Sequence, residues 1–124
     1  MKRIIASPDA PAAIGPYSQA VEINGTLYVS GQLPVNPVSG TIPEGIEAQT
    51  RQSLDNIMAI LKQAGMGPDN VAKTCVLLQH ISDFAAMNAV YAEYFPNDKP
   101  ARVCYEVAAL PKGALVEIDA IAGE

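Results

Sequence analysis

Two runs of this chain are apolar on both of their alternating faces, and that limits the fold more than any other feature. In 71–79 (VAKTCVLLQ), Val76 and Leu78 oppose Cys75 and Leu77. In 102–109 (RVCYEVAA), Val103, Tyr105 and Val107 oppose Cys104 and Ala108. Successive side chains of a strand point to opposite faces, so a strand with one wetted face alternates apolar with polar. These two do not alternate, and both of their faces must be covered. Two helical stripes are available for that task. Ile46, Thr50, Leu54, Ile57, Met58, Leu61 and Ala64 share one within 44–64, and Phe84, Met87, Tyr91 and Phe95 share one within 82–95. Two helices cover one face of a sheet. The other face is then expected to be buried by a second copy of the chain, with any pocket near the interface between subunits.

Turn chemistry divides the rest. Asn24-Gly25 separates 18–23 (SQAVEI) from 26–31 (TLYVSG), and this dipeptide between two apolar-rich runs predicts a hairpin, because both turn positions need positive φ. Residues 2–6 read as a short first strand and 115–122 (LVEIDAIA) as the last. Thr41-x-x-Glu44 predicts a capping box before the first helix, with Gly65 as its stop. Ser82 is the expected N-cap of the second helix, and Pro96 ends it. The order is β-β-β-α-β-α-β-β, an α+β fold with both helices on one face of a mixed sheet. At 124 residues the chain is expected to form one domain, 1–124.

Composition removes several functions. Hydrophobic residues make up 49% and charged residues 17%, the opposite of a disordered chain. A net charge of −5 repels phosphate backbones and anionic lipids, so neither nucleic acid nor membrane is an expected partner. No apolar run approaches the roughly 20 residues of a membrane span. Pro8 and Asp9 cut the N-terminal apolar stretch below the about seven residues of a secretory signal, so a cytoplasmic protein, or a mature chain, is expected. Cys75 and Cys104 lie far apart and His80 is the single histidine, which leaves no metal-ligand cluster. Glycine-rich phosphate loops are missing as well, so no phosphate-cradling nucleotide site is expected.

A few residues remain that can carry chemistry. Alternation sets Arg102, Cys104 and Glu106 on one face of their strand. A guanidinium in an apolar strand needs a partner. That partner is an internal carboxylate, the commoner fate, or a ligand carboxylate gripped by the planar fork. Cys104 reads first as a small buried hydrophobe, and pairing with His80 as a nucleophile has no local support. In the last strand Val116, Ile118 and Ala120 form one face and Glu117, Asp119 and Ile121 the other. A carboxylate there is a surface charge by default; enclosed at an interface it holds its proton more tightly and can move protons. Gly15-Pro16-Tyr17-Ser18 is a rigid loop whose tyrosine either packs or donates to a ligand. Ser30-Gly31 ends the hairpin, and Gly31 lets a backbone or ligand come close. Asn88 is expected to bond nearby backbone, and His80 to sit exposed or in a structural role at a strand end.

Several motifs occur in a fixed order: Ala13-Ile14-Gly15-Pro16-Tyr17-Ser18-Gln19-Ala20, then Val29-Ser30-Gly31-Gln32-Leu33-Pro34-Val35, then Asp83-Phe84 with Asn88 and Tyr91. Pro100-Ala101-Arg102-Val103-Cys104, Leu110-Pro111 and Val116-Glu117-Ile118-Asp119-Ala120-Ile121-Ala122 complete the set. Over essentially its whole length the chain resembles the RidA (YjgF-type) imine deaminase family. The resemblance implies a chorismate-mutase-like fold and a homotrimer with clefts between subunits. It implies hydrolysis of 2-imino acids such as 2-iminobutanoate and 2-iminopropanoate, with their enamine tautomers, to 2-oxo acids and ammonia, without cofactor or metal. By family position Arg102 binds the substrate carboxylate, the main chain at Cys104 meets the imine end, and Glu117, with Arg102 nearby, positions and deprotonates water. Tyr17 encloses the site, and Ser30, Gly31 and Asn88 line or support it. Val103 departs from the Ser or Thr of many members and is expected to point away from Arg102.

Two other classes stand beside this reading. One is a trimer that binds small molecules, or protects under stress, in the same cleft without turnover. The other is RNA cleavage, against which the acidic charge and the lack of a basic, aromatic-interleaved patch weigh.

Overall fold

The hairpin forms where the sequence asks for it. Asn24 and Gly25 take φ of 51° and 79°, joining β2 (Ala20–Ile23) to β3 (Thr26–Gln32). The computed structural model describes all 124 residues. Its other elements are β1 (Arg3–Ile5), α1 (Ile46–Gln63), β4 (Val71–Leu78), α2 (Phe84–Tyr94), β5 (Ala101–Glu106) and β6 (Val116–Gly123), with 3₁₀ turns at 68–70, 81–83 and 111–113. The expected order of strands and helices holds. No helix is long and apolar enough to cross a membrane.

The strands make one sheet in the order β1-β2-β3-β6-β4-β5. β4 and β5 run parallel, joined through α2, and β6 lies antiparallel between β3 and β4. The sheet is therefore mixed, and β5 is an edge. Both helices pack on one face. Leu54, Ile57, Ile60 and Leu61 of α1 and Met87 and Tyr91 of α2 share a 21-residue core with Leu27, Val76, Leu78, Val116, Ile118 and Ala120 of the sheet. Phe84, placed on the buried stripe by its spacing, is instead exposed at the start of α2.

Neither predicted N-cap forms. Gly45, at φ 89°, caps α1 with no side-chain bond, so Thr41 and Glu44 make no capping box. Asp83, not Ser82, precedes α2, and a 3₁₀ turn over 81–83 takes the place of a side-chain cap. The stop at Gly65 is as expected, with φ 76° just beyond the last turn.

The second sheet face is bare. One row across it runs Ile4, Val21, Tyr28, Ile121, Lys73 and Ala101, set by the register of successive strands. Ile4, Tyr28, Val103, Tyr105 and Ile121 stay between 36% and 54% exposed, although the strands carrying them lie in the sheet. That is the uncovered apolar face that the doubly apolar strands required.

Candidate active site

Register decides which candidates meet. Arg102 pairs with Thr74 across β4, and Thr74 with Ala120 on β6. Ala120 and Thr74 are buried under the helices, so Arg102 lies on the helix face at the sheet edge. Its Nη1 donates to Asn88 Oδ1 of α2 at 2.7 Å. The guanidinium carbon sits 4.7 Å from the Tyr91 ring centre and 5.5 Å from that of Phe84, close enough for cation–π attraction to both. Tyr91 is itself anchored by a 2.7 Å hydrogen bond between its hydroxyl and that of Thr74. The two salt bridges of the chain are Arg3–Glu22 and Arg51–Glu93; Arg102 takes part in neither. The internal carboxylate that most strand arginines find is therefore missing here. A cavity of about 340 Å³ opens beside it, lined by Asn88, Tyr91, Phe95, Lys99 and Arg102 among others.

Asn88 thus bonds a side chain, not the nearby backbone its setting suggested. Cys104 shares the helix face with Arg102 and packs, half-buried, against the core. Burial pushes its thiol up, against the lowering effect of Arg102, so it is not an activated thiolate. Val103 faces the other way, as expected, paired with Cys75. Glu106 accepts the Ile81 N–H at 2.9 Å, and His80 is exposed.

Glu117 lies on the bare face, in a row with Leu77 and Tyr105. Within one chain Glu117 and Arg102 are on opposite faces of the sheet, so the nearness expected of the two is not met inside a single copy. Alternation gives parity within each strand, and the pairing through β4 sets the two strands' parities against each other. What approaches Gly31 is Glu117. A Cβ on Gly31 would collide with its carboxylate, at the bulge where β3 slips register between Val29 and Gln32. Burial and then the charge of Asp119 push the Glu117 carboxyl above the ordinary range. Asp119, also raised by burial, accepts the Cys75 N–H at 3.1 Å. Ser30 Oγ donates to the Ser18 carbonyl at 2.6 Å, fixing the loop that carries Tyr17. Tyr17 is half-exposed and lines, with Gly31, Gln32 and Lys112, a second cavity of about 250 Å³.

The candidates therefore fall into two half-sites. Arg102, Asn88 and Cys104 sit on the helix face at the β5 edge. Glu117, Gly31, Ser30 and Tyr17 sit on and beside the bare face. Sequence reasoning missed the aromatic rings flanking Arg102; Tyr91 was read as core, and only its position seven residues beyond Phe84 on one helix face hinted at a shared task. It also missed Gln19, a buried amide making four hydrogen bonds to Ser7, Ala10 and Pro11, which pins the N-terminal segment beside the Tyr17 loop. No three His, Cys, Asp or Glu side chains gather in a way that could hold a metal ion.

Residues 7–124 match the model of the family described as endoribonuclease L-PSP. The 2-iminobutanoate/2-iminopropanoate deaminase of Capra hircus is 54% identical over 123 residues, covering 98% of this chain and 90% of its own. The crystal structure of YyfA from Yersinia pestis, described as a protein of unknown function of the conserved Rid family, superposes with a TM-score of 0.96 at 51% identity, covering all of both chains. The structure of E. coli TdcF with bound serine superposes with a TM-score of 0.96 at 41% identity over 98% of each chain.

Proposed function

Because the chain belongs to the endoribonuclease L-PSP family, in its RidA branch, we propose that it hydrolyses small 2-imino acids, among them 2-iminobutanoate and 2-iminopropanoate, to 2-oxo acids and ammonia. The observation that carries this reading is Arg102: a guanidinium held by an amide and two rings, beside a cavity, with no carboxylate of its own chain to neutralise it. A substrate carboxylate fits that fork bidentately. The goat relative's name and the serine bound in TdcF, an amino acid with the same α-carboxylate, support the same ligand class.

The chemistry asks little beyond position. A protonated imine is already electrophilic, so no covalent nucleophile is needed. Arg102 holds the carboxylate, and the main chain at Cys104 meets the imine end. Glu117 takes a proton from water as its oxygen bonds to the imine carbon. Glu117 returns that proton to the nitrogen of the resulting carbinolamine, the C–N bond breaks, and ammonia leaves as the hydroxyl gives its proton back to Glu117 and the carbonyl forms. A positioned base contributes about 10²- to 10⁴-fold, with the rest from orientation. The residues named suffice for this without cofactor or metal, which makes the activity that of a hydrolase.

The reading includes a homotrimer. The bare apolar face supports self-association, and the separation of Arg102 from Glu117 supports a cleft built from the Arg102 half of one copy and the Glu117 half of the next. The test is a coupled assay: threonine dehydratase generates the imine, and imine decay is followed with and without this protein. Faster decay to 2-oxobutanoate and ammonia is expected. Binding of 2-oxobutanoate without any acceleration would assign the cleft to ligand binding alone.

A further inference from the structure

β6 places two carboxylates side by side on the bare face and gives them unlike surroundings. Glu117 and Asp119 are two residues apart, in adjacent rows; the first shares its row with Leu77 and Tyr105, the second with Cys75 and Val103. Asp119 is tied down. Burial pushes its carboxyl up, and against that its Oδ1 accepts the Cys75 main-chain N–H at 3.1 Å, a bond that favours the ionised form. Lys73, two residues before Cys75 on β4, favours it too. Glu117 has neither support. It lies over Gly31, whose missing side chain makes the room. Within one chain the groups facing it are Asp119 on its own strand, the Cys75 thiol on β4 and the Tyr105 phenol on β5, while β3 brings Gly31 and Ser30, which do not titrate; in the proposed cleft the Arg102 guanidinium of the next copy joins them, in wild type and Asp119 variant alike. Two neighbouring carboxylates whose environments differ in this way divide their roles: one stays charged, and the other exchanges a proton.

We propose that Asp119 is a positioning residue for Glu117: anchored on the Cys75 amide, its carboxylate makes Glu117 the stronger proton acceptor. The inference rests on the reading of Glu117 as the group that deprotonates water. In that role Asp119 touches neither water nor substrate. Its negative charge raises the proton affinity of Glu117, in the same direction as burial does. A stronger base takes the water proton more readily, provided the working pH stays above its own titration.

Asp119→Asn isolates the charge, because the amide oxygen still accepts the Cys75 N–H. The expected result is an acid limb of the kcat/KM–pH profile moved down by about 0.5 to 1 pH unit, the scale of one like charge on the neighbouring row of a partly wetted sheet face. Carbon-13 titration of the Glu117 carboxyl, assigned by its disappearance in Glu117→Gln, should show the same downward shift in substrate-free protein. Should the Asn variant fail to assemble, Asp119→Ser, a smaller acceptor, carries the same two expectations. A limb and a titration that do not move overturn the proposal. A loss of two to four orders of magnitude at every pH also overturns it, since Asp119 would then itself be the base. Glu117→Gln separates the two levels. If that variant turns over normally, the water-activating reading fails and this inference with it. If it is inactive while Asp119→Asn leaves the limb unmoved, only the inference fails.

Discussion

Arg102 is held in place ahead of the role proposed for it. One nitrogen is committed to Asn88, and the Tyr91 and Phe84 ring centres stand 4.7 and 5.5 Å from the guanidinium carbon. Little rotamer freedom is left to lose, and the remaining N–H donors keep their fork. Lysine would keep the charge but neither the fork nor the ring contacts. Arg102→Lys is therefore expected to stay folded and to lose about 10- to 150-fold in kcat/KM for a 2-imino acid, the equivalent of one charge-assisted contact of about 1.5 to 3 kcal/mol. Near-normal turnover would remove Arg102 from the site. Cys104, on the same face, is expected to behave in the opposite way. Its thiol packs against the core and burial pushes it up, and the proposed contact uses the main chain. Cys104→Ser should keep substantial activity; an inactive but folded Ser variant, or a covalent adduct on Cys104 by mass spectrometry, would overturn the water mechanism.

At the scale of elements, β6 holds both the core and the carboxylates, and the two demands conflict. Val116, Ile118, Ala120 and Ala122 bury fully, while Glu117 and Asp119 are carried into partial burial on the far face. Both carboxyls are raised in the folded chain. Between the unfolded and the folded titration the native state then binds more protons, so stability falls as pH rises through that window and recovers as pH drops through it. Glu117→Gln removes one such charge. It is expected to raise the Tm at pH 7 and to leave it nearly unchanged at pH 4; an equal shift at both would mean that the charge is not what costs stability. The strands and helices of this fold were legible because local pattern sets them: the doubly apolar run of β4, the alternation in β6, the Asn24-Gly25 turn, the stripe on α1. The face relation between Arg102 and Glu117 was not, since it depends on pairing across β4. The buried amides escaped for a similar reason. Gln49 bonds the Pro43 carbonyl and the Leu115 N–H, and Asn56 bonds the carbonyls of Leu33 and Val35; partners up to 66 residues away leave no local signal. The caps failed because Gly45 starts α1 through its own positive φ, a solution that competes with a side-chain cap.

For the whole molecule, the geometry turns an oligomer into a requirement of the proposed chemistry. A carboxylate clamp on one face and a base on the other cannot act on one small imino acid within a single chain. A cyclic assembly answers this, because each interface can join the β5 edge of one copy to the bare face of the next, and closure repeats the contact around the ring. The same contact would cover Tyr105, Val103 and Ile121, which nothing in the single chain covers. The arrangement makes a prediction that no single variant can make. Arg102→Ala and Glu117→Gln should each be nearly inactive alone. Co-expressed and randomly mixed in equal amounts, they should recover activity, because about a quarter of the clefts would pair an intact Arg102 with an intact Glu117 from a different copy. Imine decay measures the recovery, light scattering the trimer mass, and native mass spectrometry the mixing. A monomeric wild type would sink the interface site outright. Verified mixed trimers without any recovery would place Arg102 and Glu117 of one cleft on the same chain, and the arm carrying Arg102 would then have to turn around the sheet edge on assembly.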